Sequence, residues 1–354
     1  MKNKILVVVF IIYISLFSLV SIVLPDKEIS NSERRKLKDF PEFEFDSEWI
    51  SKLDGYLLDH VVFRDEFRSI KANYNYKLLN RLDNNGIYLK NNYIFKSNYP
   101  TNNESIHNFM NKIHKLSGLL NKNNKVYMMI IPDKNYYLDS DDFLGVDYNY
   151  IYNEVNKLGF KNIELRDVLE LSDYYETDTH WRQEKLDKVL KKMSEKLDFT
   201  YNDTEYEENT FNNFYGVYYG ESALKRKPEK LVYLTSDIFD DVTVKYLEND
   251  KLTTIYNEDK LNGLDSYDVY LDGASSFIEI TNNNASSDKE LVIFRDSFGS
   301  SLSPLLVKYY SKITLIDNRY ISSDNFKELI TFNNQEVLFM YSTLFINDSN
   351  SLKG

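Results

Sequence analysis

Two segments that lie far apart in the chain hold the side chain types that nucleophilic catalysis needs. Asp178 precedes His180 by two residues, and at this spacing a carboxylate can hydrogen bond the imidazole, fix its tautomer and stabilise the imidazolium. The chain has only four histidines, so few other positions could supply such a base. Ser297, in the sequence Asp-Ser-Phe-Gly, is the candidate nucleophile that His180 would activate.

The residues around these segments predict the elements that position them. Apolar residues recur at helical spacing over residues 182–197, which predicts a helix with Thr179 or His180 as its N-cap. Residues 291–294 form an unbroken apolar run, typical of a buried strand, and leucines at helical spacing follow Ser297. Ser297 is therefore expected on a strand-to-helix turn, at the sheet edge where α/β proteins build their sites. The alternative is that Ser297 is only a turn or N-cap serine.

A family resemblance rests on these motifs together. Thr177-Asp178-Thr179-His180-Trp181 and the later Asp296-Ser297-Phe298 resemble the SGNH-hydrolase-like O-acetyltransferases of alginate acetylation, and in particular their relatives in the DHHW family of bacterial surface proteins. The resemblance extends to Phe63-Arg64-Asp65, to Ile131-Pro132-Asp133-Lys134 and to Arg319. Thr179 stands where the family name implies a second histidine.

The fold class that we predict is α/β: a three-layer SGNH-like domain with a mostly parallel central sheet, behind one N-terminal transmembrane helix. Its strands are expected at Val126, Ile163, Val269, Leu291, Ile313 and Val337. The resemblance implies an oxyanion donor in a glycine loop, for which Gly273 is the candidate, and backbone N–H groups near Ser297 and Arg319 are further candidates. Tyr341, near the end of the last strand, is a candidate substrate-binding residue.

Composition excludes several classes of protein. The net charge of −12 argues against nucleic acid as a partner. The chain has no cysteine, so it forms no disulfides, has no thiolate metal site and has no cysteine nucleophile. His107 and His114 lie seven residues apart without a third ligand nearby, so we expect no metal site there. The chemistry predicted above needs no metal or organic cofactor.

The N-terminus predicts a membrane anchor. Residues 5–24 are apolar or carry hydroxyl groups, contain no charge and follow Lys2 and Lys4, so they can span a bilayer with the lysines in the cytoplasm. A cleaved signal peptide is the alternative. The expected organisation is an N-terminus with anchor over residues 1–25, a juxtamembrane linker over 26–48, and an SGNH-like domain over 49–354 with a β-rich insertion near 201–262. The domain would lie outside the cell membrane.

The leading functional hypothesis is O-acyl transfer, either O-acetylation or deacetylation of an extracellular or cell-wall polysaccharide. The resemblance implies a membrane-bound O-acyltransferase as the acetyl donor. One rival is a noncatalytic surface protein that binds polysaccharide or a partner, which predicts that Ser297 and His180 lie far apart. A second rival is a metal-dependent hydrolase with Asp178 and His180 as ligands. The sequence does not distinguish transferase from esterase, because a sugar hydroxyl and water attack the same acyl-enzyme.

Overall fold

The computed structural model describes residues 2–44, 46–138, 143–247, 252–285 and 287–353. The helices are α1 (Lys2–Val23), α2 (Ser47–His60), α3 (Arg64–Asn73), α4 (Asn103–Ser117), α5 (Tyr148–Asn156), α6 (Asp187–Ser194), α7 (Val217–Ser222), α8 (Gly299–Leu306), α9 (Ser323–Phe326) and α10 (Thr343–Asn347). The strands are β1 (Ile29–Ser30), β2 (Arg35–Lys36), β3 (Asp83–Asn84), β4 (Ile87–Lys90), β5 (Tyr93–Lys96), β6 (Lys125–Ile131), β7 (Lys161–Glu164), β8 (Glu207–Phe214), β9 (Glu229–Thr235), β10 (Val242–Tyr246), β11 (Leu252–Thr253), β12 (Phe277–Asn282), β13 (Glu290–Arg295), β14 (Lys312–Ile316) and β15 (Glu336–Ser342).

The chain divides into two compact units, one of Met1–Ile87 with Val217–Lys227 and one of Tyr88–Gly216 with Pro228–Gly354. In the first unit, α1 contains the apolar segment Lys4–Val23, whose mean hydropathy of 2.9 and length suit either a membrane span or a signal sequence. The helix α3 continues into a π-helical turn, Tyr74–Leu78. The short strands β1 and β2 pair antiparallel.

The second unit is built on a large mixed sheet. Within the described residues, eight strands pair in the order β11-β10-β12-β14-β13-β15-β6-β7. The strands from β14 to β7 run parallel to one another, whereas β10, β11 and β12 are antiparallel additions at the other side. β8 and β9 form a separate antiparallel pair. The predicted mostly parallel central sheet is confirmed.

Apolar residues cover both faces of this sheet. Along β6, Tyr127 and Met129 contribute to a core shared with α6 and α8, and the alternate residues Met128 and Ile130 contribute to a core shared with α4 and α5. This alternation follows from the two-residue period of a strand, and it produces the three-layer architecture. Leu302 of α8 is fully buried, so Leu302→Ala would cost about 2–5 kcal/mol of unfolding free energy.

One predicted strand of this sheet is wrong, and β10, β11 and β12 were not predicted among its strands. Val269 ends a 3-10 turn, Ser266–Val269, and Leu271 just after it has a positive φ of 52°, which no strand accommodates. The sheet instead contains β12, whose Glu279 and Thr281 alternate with buried apolar residues. The remaining predicted strands, at Val126, Ile163, Leu291, Ile313 and Val337, are confirmed.

Candidate active site

Ser297 lies on the turn between β13 and α8, partly exposed, at the carboxyl end of a strand inside the parallel sheet. The buried carboxylate of Asp296 fixes this turn. It accepts one hydrogen bond from the Phe298 amide at 3.1 Å and another from the Ser342 amide, at the end of β15, at 2.8 Å. The turn that carries Ser297 is therefore attached to two neighbouring strands.

Asp178 and His180 lie in a loop that closes on itself. Tyr174 and Trp181 pair as an isolated antiparallel bridge, and the Tyr175 amide donates to the His180 carbonyl at 3.1 Å. The prediction of Thr179 or His180 as an N-cap is wrong, because a 3-10 turn follows the loop and α6 begins only at Asp187. The loop thus ends in a bridge, whose Trp181 is fully buried.

The structure brings Asp178, His180 and Ser297 together. With the ring proton on Nδ1, His180 donates to Asp178 Oδ1 at 2.6 Å, and His180 Nε2 accepts from the Ser297 hydroxyl at 2.7 Å. The His180 amide also donates to Asp178 Oδ1 at 2.9 Å. This is the arrangement in which an imidazole can take a hydroxyl proton while a carboxylate orients the ring. It contradicts the expectation, under a noncatalytic function, that Ser297 and His180 lie far apart.

Aromatic rings hold the His180 imidazole in place. Tyr267 stacks on it with ring centroids 4.0 Å apart and planes 9° apart, and Phe298 contacts it at 5.0 Å. The Tyr267 hydroxyl donates to Ser301 Oγ at 2.8 Å, and Trp181 Nε1 donates to the same oxygen at 2.9 Å. Burial raises the pKa of Tyr267 well above its ordinary value, so its phenol stays neutral.

Charged side chains distant in sequence hold the loop that carries Asp178. The buried Lys134 donates to the carbonyl oxygens of Tyr175, Glu176 and Asp178 at 3.1, 3.2 and 2.7 Å. Lys134 belongs to the segment to which the family resemblance extends, and in the structure its ammonium group holds three carbonyl groups of this loop.

Glu229 holds the same loop from the first residue of β9. It accepts from the Glu176 amide at 2.9 Å, and from the amide and the hydroxyl of Thr177 at 2.7 and 2.5 Å. Arg182 donates to the same carboxylate at 2.9 Å. No sequence pattern identified Glu229, because its partners lie 52 and 53 positions away.

A glycine allows a second segment to pass close behind the loop. A Cβ added to Gly216 would lie 2.2 Å from the Thr177 carbonyl oxygen and 2.4 Å from the Asp178 Cβ. The Gly216 amide donates to the Thr177 hydroxyl at 2.8 Å. Only a residue without a Cβ can therefore approach the loop this closely.

Arg295, at the end of β13 and two residues before Ser297, is a buried arginine that was not predicted from the sequence. Arg295 donates through Nη1 to Ser300 Oγ at 2.8 Å and to the Asp296 carbonyl at 3.3 Å. Its Nε and Nη2 have no hydrogen-bond partner among the described residues. Burial lowers the pKa of Arg295, and the nearby Asp317 carboxylate opposes this effect. Arg295 thus ties the Ser297 turn to the first turn of α8.

The other predicted site residues lie in different surroundings. Arg319 forms a two-point ion pair with Asp317, with distances of 2.9 and 2.5 Å, and although burial alone would lower the pKa of Arg319, this pair raises it. Tyr341 is fully buried in the core, edge-on to Phe109 and stacked on Phe345. This burial does not suit the predicted contact of Tyr341 with substrate.

Gly273 lies in a tight turn with a φ of +88°, which favours glycine. Its amide donates to the Tyr270 carbonyl at 3.3 Å. Among the described residues, no hydrogen bond joins Gly273 or Arg319 to Ser297. Across the residues that the structure describes, no group of three or more histidine, aspartate or glutamate residues is placed to hold a metal ion.

Solved structures of a DHHW family protein and of PatB1 share this fold. A DHHW family protein from Eubacterium siraeum aligns with a TM-score of 0.63 and 19% identity, over 77% of this chain and 97% of that chain. PatB1 from Bacillus cereus aligns with a TM-score of 0.58 and 21% identity, over 77% of this chain and 98% of that one. A further PatB1 structure, with a sulfonyl adduct, aligns with 22% identity and the same TM-score.

The sequence itself matches no family model and no curated protein. The structural likeness nevertheless shows the fold: over 77% of its length this chain shares the α/β fold of the DHHW family protein and of PatB1, and this fold is similar to SGNH-like folds.

Proposed function

We propose that the protein is an O-acyltransferase or esterase that acts on acetyl groups of an extracytoplasmic polysaccharide through Ser297. The observation that carries this proposal is the hydrogen-bonded chain from Asp178 through His180 to Ser297, with distances of 2.6 and 2.7 Å. The motif resemblance to the SGNH-like O-acetyltransferases supports the acetyl group and the polysaccharide.

The chemistry proceeds in two halves. Ser297 Oγ attacks the carbonyl carbon of the acyl donor while His180 Nε2 takes the hydroxyl proton, and Asp178 stabilises the resulting imidazolium. The tetrahedral intermediate collapses to an acyl-Ser297 ester, and His180 returns the proton to the leaving oxygen. A sugar hydroxyl then attacks the ester and gives its proton to His180. The bond between the acyl carbon and Ser297 Oγ breaks, and His180 returns the proton to Ser297 Oγ, so the acyl group passes to the sugar and the protein is a transferase. If water attacks instead, the protein is an esterase.

The developing oxyanion needs hydrogen-bond donors beside Ser297. The amides of Phe298 and Ser300 donate to Asp296 and to the Ser297 carbonyl, whereas no described residue accepts a hydrogen bond from the Ser297 amide. We assign this amide as the first oxyanion donor. Arg319 and Gly273 remain candidates for the second donor, which would require a change in the contacts that each makes within its own turn.

The cell membrane is the proposed location. The apolar helix segment Lys4–Val23 would anchor the chain, with the N-terminal lysines in the cytoplasm and the catalytic domain outside. The proposed partners are a polysaccharide acceptor and a membrane-bound O-acyltransferase that delivers acetyl groups across the bilayer. No nucleic acid is proposed as a partner, and no metal or organic cofactor is required.

Hydrolysis of an activated acetyl ester tests the proposal, because such an ester needs little binding from the natural substrate. The full chain in detergent should release the chromophore, and Ser297→Ala should reduce the rate to that of the reaction without enzyme. Ser311→Ala is the matched control. Ser311 lies just before β14, and its hydroxyl donates to the Lys289 carbonyl. Activity that survives in Ser297→Ala would exclude Ser297 as the nucleophile.

A further inference from the structure

A row of large apolar side chains faces outward from α3 and the π-helical turn that continues it. Phe63, Phe67, Ile70, Tyr74 and Leu78 follow one another at spacings of three or four residues, so they share one face of the helix. Their exposed fractions are 61, 44, 63, 50 and 68%. A contiguous exposed apolar surface of this kind marks an interaction site. We call these five residues the α3 row.

The other side of α3 contacts its own unit. Arg68 pairs with Glu33 at 3.0 Å and donates to the Gly220 carbonyl at 2.9 Å. Ala72 is fully buried, and Asn75 donates to the Asn84 side chain at 2.7 Å. The helix is thus fixed on one side by polar and buried contacts, and its apolar side is left exposed.

The α3 row lies beside the apolar helix α1. The rings of Phe67 and Phe17 meet edge-on at 5.7 Å, and the Val62 amide, just before α3, donates to the Ser21 hydroxyl at 3.2 Å. Phe17 and Ser21 lie one turn apart on α1. The membrane-length segment of α1 has none of its residues buried, so whatever solvates this helix also surrounds the row next to it.

The depth of this contact suits a helix at the membrane interface. Phe17 lies six residues before Val23, where α1 ends, which corresponds to about 9 Å along the helix axis. Interfacial helices bury their apolar face by about 5–10 Å. The exposed Lys71 and Lys77 lie close to the row, and lysine stems of this kind reach along apolar surface to place their charge among headgroups.

We propose that the α3 row is inserted into the outer half of the lipid bilayer, so that α3 lies in the membrane interface beside α1. This rests on the proposed membrane-spanning role of α1, and it goes beyond the proposed catalytic function. The first unit would then contact the bilayer at two places, through α1 and through the α3 row. Lipid is the occupant because the row contacts the helix that lipid would surround, and because its only polar group is the Tyr74 hydroxyl.

Spin labels can test this proposal, because the chain has no native cysteine. Ile70→Cys and Leu78→Cys place a label on the row. Asp65→Cys is the matched control, since Asp65 is exposed and lies five residues before Ile70, on a different face of α3. Phe10→Cys labels the middle of α1. Each full-length variant is reconstituted into nanodiscs of phosphatidylcholine with a minority of phosphatidylglycerol, and collisions with oxygen and with a water-soluble nickel chelate are measured.

Labels at positions 70 and 78 should favour oxygen over nickel several-fold more than the label at 65, and position 10 should favour oxygen most. If positions 70 and 78 match position 65 while position 10 favours oxygen, the row faces water and the proposal is wrong. Protection of positions 70 and 78 from both reagents would indicate cover by a second copy or a membrane-bound protein, which also overturns it. Nickel access at position 10 would show that α1 does not span the bilayer. That result would refute both the anchor and this proposal, and it would not test the catalytic site.

Discussion

The two halves of the candidate active site are held in different ways. Ser297 follows β13, whose backbone pairs with β14 on one side and β15 on the other, and Asp296 adds a hydrogen bond to the end of β15. His180 lies in a loop outside the sheet, which is closed by the bridge between Tyr174 and Trp181. The sheet therefore places Ser297, the candidate nucleophile, and contacts from distant segments place His180, the candidate base.

This difference determines where activity can be lost without loss of the fold. A strand paired on both sides is part of the most stable region of a domain, whereas a loop opens at lower free energy. The His180 loop depends on Lys134, Glu229 and Gly216. Changes at these positions should displace the base and leave the sheet intact.

Removal of either end of the chain of hydrogen bonds should have the largest effect. His180→Ala and Ser297→Ala should each abolish acetyl-ester hydrolysis, and the double variant should be no worse than either. When side chains act as a unit, removal of one lowers the rate about as much as removal of both, on the order of 10⁶-fold in serine hydrolases. Steady-state kinetics of the three variants measure this. Additive losses would mean that the two residues act independently.

Asp178→Asn should have the next largest effect. The amide can keep the bond from the His180 backbone, which is 2.9 Å long in the wild type, but it no longer favours the tautomer with the proton on Nδ1 or stabilises the imidazolium. The expected loss of kcat is about 10⁴-fold. The thermal unfolding midpoint should stay close to that of the wild type.

Asp324→Asn is the matched control, since the exposed carboxylate of Asp324 in α9 pairs with Lys327. It should leave kcat unchanged. If Asp178→Asn retains full activity, Asp178 does not orient His180.

Gly216→Ala should displace the base loop. The new Cβ would lie within 2.2 Å of the Thr177 carbonyl, a contact with backbone that only a shift of the loop can relieve. Misplacement of a catalytic group by about 1 Å can cost about 10²-fold in rate, and overpacking costs about 1–3 kcal/mol of unfolding free energy. Kinetics and thermal unfolding measure the two effects.

Gly145→Ala provides the control for this comparison, because a Cβ there meets nothing within 4 Å. It should leave both activity and unfolding free energy close to the wild type. An equal loss of activity in the two alanine variants would show that close approach of Gly216 to the loop is not the cause.

The fold was largely predictable because most of its parallel strands are runs of mainly apolar residues. Leu291 and Ile313 belong to such runs, and both lie in the central sheet. Val269 misled the prediction because a tight turn can also be apolar and buried. β12 has the opposite character: its partly exposed Glu279 and Thr281 interrupt the apolar pattern of a strand that is nevertheless paired on both sides.

The positions of Asp178, His180 and Ser297 could be predicted from residue type and local spacing, but their supports could not. Glu229 and Gly216 contact Thr177 across 52 and 39 positions, and no local pattern encodes such a contact. Arg295 directly follows the apolar residues 291–294 at the end of β13, and an arginine in line with a buried strand is the one signal that could have identified it. Arginine is almost never fully buried unless it is paired, so its burial beside the candidate nucleophile is informative.

The smallest expected effect concerns the ring that stacks on His180. Tyr267→Phe keeps the aromatic face, 4.0 Å from the imidazole, and loses only the hydrogen bond to Ser301, whose oxygen still accepts from Trp181. The unfolding free energy should fall by about 1 kcal/mol, with kcat nearly unchanged. Tyr267→Leu removes the face as well, so it should lower kcat by more than Tyr267→Phe. Chemical denaturation and ester kinetics compare the pair. Equal kcat in both variants would mean that the stack contributes nothing to the orientation of His180, and that the bonds to Asp178 and Ser297 alone hold the ring.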